Sequence, residues 1–164
     1  MIQIYSKVFR ELGLKDVKIK INHRQILNSI ANKIGISDSF NEFIVLIDKR
    51  DKIGSEKLKN LLRNDLNIND SHIDYLFELF EYSGKFSDLI NKITNEFSDA
   101  LSIKAAEEIN KIYEMMENSD ELVEIEFDLS LARGLNYYTG IIYEVVAPDS
   151  NIGSLGGGGR YSDL

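Results

Sequence analysis

The chain has 164 residues and no cysteine, so a disulfide framework, a cysteine nucleophile and a thiolate zinc site are all excluded. Its hydrophobic content of 43% and aromatic content of 10% supply a buried core, and a single proline argues against a disordered chain. The net charge of −8 is uneven: residues 1–37 carry +5, residues 38–120 carry −8 and residues 121–164 carry −5. Such a chain is a poor non-specific nucleic-acid binder, since phosphate neutralisation needs clustered Lys and Arg.

In chain order, Met1, Ile4, Tyr5, Val8, Phe9 and Leu12 recur at helical spacing, and Gly13 ends that stripe. Lys7, Arg10 and Glu11 interrupt the apolar positions, so the segment reads as an amphipathic helix and not as a signal peptide. Val17, Ile19 and Ile21 alternate with lysines as a half-buried strand. Ile26, Leu27, Ile30 and Ile34 then restore helical spacing until Gly35. His23 and His72 fall in different elements and read as surface or helix-end residues, not as a metal site.

Residues 38–118 read as a helical module of four to five short helices. Its stripes are Phe40/Phe43/Ile44/Ile47, Leu58/Leu61/Leu62/Leu66, Ile73/Leu76/Phe77/Phe80 (capped by Asp70 or Ser71) and Leu101/Ala105/Ile109/Ile112/Met116, with a looser stretch around 86–97. From Leu122 the period becomes two, with Val123, Ile125, Phe127 and Leu129 opposite Glu124, Glu126 and Asp128. A strand over 137–147, a turn at "PDSNIG" and a short return through Ser154 and Leu155 complete three neighbouring antiparallel strands. The class is α+β: an antiparallel sheet interrupted by a helical insertion, divided as 1–37, 38–118 and 119–164. No stretch approaches the roughly 20 apolar residues of a membrane span, and the default location is the cytoplasm.

The chemistry concentrates in "LARGLNYYTGIIYEV" and "GGGGRY". Arg133 offers a planar fork of donors suited to phosphate or carboxylate, beside Gly134, where backbone can approach a ligand. The alternative is a structural arginine paired with Glu124, Glu126 or Asp128. Tyr137 and Tyr138, read as the start of a strand, point to opposite faces, one packing and one reaching a pocket; the alternative is two packing aromatics. Gly156 to Gly159 lack the Lys-Ser/Thr of a P-loop. Glycines inside a sheet suggest a floor on which a ligand lies against backbone, with Arg160 and Tyr161 at its edge.

Together these two stretches resemble the Arg-Gly-Leu-Asp-Tyr-Tyr signature and following glycine-rich strand of histidyl-tRNA synthetases. "VKIKINHRQIL" and "IDKRDKIG" are similar to stretches of the eukaryote-like branch. The resemblance implies part of a class II synthetase catalytic domain with a helical insertion. It implies histidine, ATP with Mg2+, and tRNA(His) as substrates and partners, and a homodimeric full-length parent. It implies Arg133 as the catalytic arginine on the α-phosphate and Tyr138 as reader of the imidazole. Tyr137 and Tyr161 would line the histidine pocket, with Gly156, Gly157 and Gly158 as its backbone floor. Asn136 and Ser162 stand where that family usually has aspartate. The family's first two class II motifs, its third, and its anticodon-binding domain are not among these residues, so a fragment inactive alone is expected. Two other readings are a synthetase-like regulatory subunit of histidine biosynthesis and a helical interaction module, 38–118, on a sheet scaffold.

Overall fold

The computed structural model describes residues 2–14, 17–118, 124–133, 137–148 and 153–162. Met1, the strand onset at Leu122 and Val123, Gly134, Asn136 and the turn at 149–152 lie outside them. Among the described residues are eight α-helices and four strands: α1 (Ile2–Glu11), β1 (Lys18–His23), α2 (Arg24–Lys33), α3 (Phe40–Ile47), α4 (Arg50–Ile53), α5 (Ser55–Leu66), α6 (Asp70–Phe80), α7 (Phe86–Glu96), α8 (Ala100–Glu117), β2 (Glu124–Phe127), β3 (Ile141–Val146) and β4 (Ser154–Gly159). None of these helices is long and apolar enough to cross a membrane.

Local chemistry explains most boundaries. Gly13 and Gly35 follow α1 and α2 with φ of 76°, a left-handed conformation that side chains disfavour. The cap of α6 is Asn69, one residue before Asp70 and two before Ser71, the two expected caps: its side chain accepts from the His72 amide at 2.9 Å. Asparagine is as strong an N-cap as aspartate or serine, so the extended residue at the turn takes the role. The short helix α4, which has no stripe of its own, went unread in the sequence.

The sheet order is β2-β1-β3-β4, with β1 antiparallel to β3, β3 antiparallel to β4, and β1 parallel to β2. The expectation that β2 and β3 are neighbours is therefore corrected: β1 lies between them. The reason is the connection. The chain travels from β1 to β2 through seven helices, and a helical crossover returns in the same direction. It then crosses the end of β1 to reach β3. The Asp128 amide donates to the Ile21 carbonyl at 3.0 Å, and the Asn22 side chain donates to the carbonyls of Leu129 and Leu131 at 3.3 and 2.9 Å. The Arg24 amide donates to the Gly140 carbonyl at 2.9 Å.

The register sorts the two faces. On one, Phe127, Ile21, Tyr143 and Gly158 lie in one row, met by Phe86 of α7 and Tyr5 of α1 at ring distances of 5.8 and 5.9 Å. On the other, Glu126, Lys20, Glu144 and Gly157 form a row of alternating charge. Helices α7 and α8 pack against the sheet, and one apolar cluster runs through all the segments, from Ile19 and Val145 through Leu27 and Ile30 to Phe43, Leu62 and Leu76.

His23 ends β1 and caps α2: its Nδ1 accepts from the Gln25 amide at 3.0 Å, and its Nε2 lies 3.5 Å from Glu108. Burial pushes the His23 imidazole below its ordinary pKa, Glu108 opposing and Arg160 assisting. The unfolded chain therefore binds this proton more tightly than the folded one. The His23 contribution to stability is fully present above about pH 6.5 and is lost as pH falls through the lower folded value. His23→Asn, which keeps a capping acceptor, is expected to flatten the fall in urea midpoint between about pH 7 and 5. An unchanged slope rejects the assignment.

Candidate functional site

The polar sheet face is built around β4. The four glycines explain themselves by what lies on them. A Cβ at Gly157 would sit 2.8 Å from Cζ, Nη1 and Nη2 of Arg133 alike, so the guanidinium lies flat over that position. A Cβ at Gly159 would meet the Tyr138 ring at 2.5 Å. On the opposite face, Gly156 lies beneath Tyr5 and Gly158 beneath Tyr143. Alternation along the strand thus seats two side chains on each face. Gly156, Gly157 and Gly158, read as a ligand floor, are each covered by a side chain of the protein itself.

Arg133 Nη1 donates to Glu144 Oε1 at 3.2 Å, both groups being about three-quarters buried. The partner is none of the carboxylates the sequence suggested. Glu124 is taken by Lys18 at 2.9 Å and Asp128 by Lys20 at 2.7 Å. Glu144 sits opposite both Lys20 and Gly157 in the register, which aims it at the guanidinium. Its signal was present in the two-residue period of β3, which sends Glu144 to the wet face with Lys20. Burial pushes the Asp128 carboxyl up, but the Lys20 charge and hydrogen bond and the Ser130 donors outweigh it and leave the group below its ordinary value. Asp128 is thus an ionised anchor for the segment leading to Arg133.

The tyrosines are together, though not as expected. Tyr137 and Tyr138 precede β3, which begins at Ile141, so strand alternation does not apply to them. Their rings touch, with centroids 4.6 Å apart, instead of pointing to opposite faces. Tyr138 is 8% exposed and Tyr137 45% exposed, so one is packed and the other open. The hydrogen bond from the pair pushes the Tyr137 phenol above its usual range. Tyr161 stands edge-on to Tyr137 at 6.2 Å.

Two clefts flank β4. One, of about 900 Å³, is lined by Met115, Tyr137, Tyr138, Tyr143, Gly158 and Tyr161. The other, of about 640 Å³, is lined by Lys20, Arg50, Asp128, Arg133, Glu144 and Ser154. The aromatic groups and the arginine thus open to different clefts. Arg133 and Tyr138 nevertheless rest on the same face of one strand, at glycines two residues apart, about 7 Å. Such a pairing places an anion-binding fork beside a phenol able to donate and accept.

A family model of histidyl-tRNA synthetase matches residues 1–164. A histidine–tRNA ligase of Flavobacterium johnsoniae is 41% identical over the whole chain, which spans 35% of that relative's length. The crystal structure of a histidyl-tRNA synthetase from a Nostoc species superposes with a TM-score of 0.86 at 27% identity, covering 99% of this chain and 39% of that one. An ATP phosphoribosyltransferase regulatory subunit/histidyl-tRNA synthetase from Bacillus halodurans shares the fold, with a TM-score of 0.77 at 21% identity, over 98% of this chain and 41% of that one. The α+β fold, with its four-stranded sheet, is that of the class II synthetase catalytic domain, and the chain belongs to the histidyl-tRNA synthetase family.

Proposed function

We propose that these residues form an internal part of the catalytic domain of a histidyl-tRNA synthetase, a cytoplasmic homodimer in its full-length form. That enzyme joins histidine to AMP and then to tRNA(His). In the first step a carboxylate oxygen of histidine bonds to the α-phosphorus of ATP. The bond from that phosphorus to the bridging oxygen breaks, and pyrophosphate leaves with the electron pair. Arg133 is the group on the α-phosphate, where negative charge grows. Tyr138 reads the imidazole, with Tyr137 and Tyr161 lining the pocket, while Gly157 and Gly159 seat Arg133 and Tyr138 at its edge. A phenol matches an imidazole with one donor and one acceptor, and an amino acid that leaves it unpaired is penalised heavily.

The observation that carries this reading is the shared seat of Arg133 and Tyr138 on alternate glycines of β4. Mg2+ is implied as the companion of ATP. Among the described residues no group of three or more His, Asp or Glu converges to cage a metal, and the roles given to this chain concern the carboxylate, the phosphate and the imidazole. A regulatory subunit without acylation activity remains the competing reading, supported by the fold likeness at 21% identity. The relative at 41% identity supports the enzyme instead.

Histidine-dependent ATP–pyrophosphate exchange by the full-length protein separates the two, and the 164-residue chain alone is expected to show none. Arg133→Ala in the full-length protein is expected to lower kcat by about 10²–10³-fold with a smaller change in histidine KM. Wild-type turnover in that variant contradicts the assignment.

Gly157→Ala separates a seat from a structural glycine. The obstructing atoms belong to the far end of a flexible side chain, so the fold is expected to lose under about 1.5 kcal/mol while kcat falls about 10²-fold. A variant that unfolds in thermal melts, or one of normal turnover, rejects the seat.

A further inference from the structure

Two arginines outside the proposed catalytic set reach the segment that carries Arg133, one at its backbone and one at a side chain. Arg24, 7% exposed at the start of α2, lies over the ring of Phe40 of α3 at 4.8 Å and donates from Nη1 to the Arg133 carbonyl at 3.3 Å. Arg50 of α4 lies 5.7 and 5.9 Å from the ring centres of Phe80 and Phe77 in α6, and donates from Nη1 to Ser130 Oγ at 2.9 Å. Ser130 passes the link on: its Oγ and its amide donate to Asp128 Oδ1 at 2.6 and 2.8 Å, while Lys20 holds Asp128 Oδ2. Each arginine thus sets its guanidinium against an aromatic ring of the helical segment and donates to the 128–133 segment. Only a planar guanidinium does both at once; an ammonium is a point charge without a fork.

We infer that Arg24 and Arg50 are positioning residues for Arg133, locking the helical segment α3–α6 to residues 128–133 so that the two hold as one body. The consequence for turnover rests on the proposed role of Arg133; the lock itself does not. With both struts in place the guanidinium is delivered over Gly157 at a fixed height. With one removed the segment keeps its fold but explores other positions, and a displacement on the order of 1 Å costs about 10²-fold in rate.

Two measurements test this. In the 164-residue chain, the amides of Ser130 and Leu131 donate to Asp128. Arg50→Ala and Ser130→Ala are each expected to speed hydrogen exchange at these amides about tenfold while the β1 and β3 amides stay as they were. Ser130→Ala keeps the test alive if loss of Arg50 unfolds the chain. In the full-length protein, both variants are expected to lower kcat for pyrophosphate exchange by about 10- to 100-fold with histidine KM within about threefold, and Arg50→Lys is expected not to restore it. Unchanged amide exchange overturns the lock. Faster amide exchange with wild-type kcat, in a protein that Arg133→Ala disables, overturns the positioning role. If Arg133→Ala itself leaves turnover intact, the proposed function fails while the amide rates still decide the lock.

Discussion

The site depends on a missing atom. β4 carries no Cβ from Gly156 to Gly159, and side chains from three other parts of the chain settle into the space. Had these positions been alanine, each of the four would have met a neighbour at 3.0 Å or less. The neighbour would then have to shift, cheaply for the flexible end of Arg133 and less so for a tyrosine ring. A glycine strand gives up side-chain packing and backbone entropy. Here that loss is offset by bringing a guanidinium and three tyrosines against backbone, two on each face. The conformation at these glycines is ordinary extended strand, so it is space and not φ that requires them.

The same strand divides labour between faces. Tyr5 and Tyr143 close the helix-covered side, joining α1 to the sheet, with burial pushing the Tyr143 phenol up. Arg133 and Tyr138 occupy the polar side. That side is held from below by the row Glu126, Lys20, Glu144. It is held from the flank by Asn22, wholly buried, whose amide takes two carbonyls of the crossing segment. Buried carbonyls without partners cost about 1–3 kcal/mol each, so the path from β2 to Arg133 is fixed by hydrogen bonds in a stretch with no secondary structure of its own.

How much of this was legible depended on range. The helices α1, α2, α3, α5, α6 and α8 follow from apolar stripes, because a stripe is a local signal and its burial needs no knowledge of the partner. The strand of Ile19 and Ile21 was equally plain. Strand order was not: that β1 enters between β2 and β3 is set by hydrogen bonds between residues more than a hundred positions apart, such as Asn22 to Leu131. Arg133, Tyr138 and the glycines, neighbours in the two sequence motifs, meet on β4, while Tyr137 and Tyr161 line the cleft that Arg133 does not. Glu144 was missed because acidic residues adjacent in sequence, Glu124 to Asp128, looked closer than one brought in by register. Tyr137 and Tyr138 were misjudged in orientation because β3 starts later than its aromatic-rich run suggested.

The pairing of Arg133 with Glu144 bears on what the cleft can accept. A lone guanidinium on a partly buried face is costly, and a fully satisfied one is useless to a ligand. Glu144 engages a single donor, Nη1, at 3.2 Å, which is long for a charge-assisted contact. A guanidinium has five donors. The carboxylate therefore orients the fork and balances its charge without exhausting it. In the proposed reaction a phosphate oxygen would meet a guanidinium already three-quarters buried and held over Gly157, leaving little reorganisation for the moment charge develops. Glu144 also repels an anion placed too near it, which favours approach from the Tyr138 side of the strand. Arginine, glutamate and glycine are thus one device: the glycine sets the height, the carboxylate the angle, and the backbone clamp at 128–133 the reach.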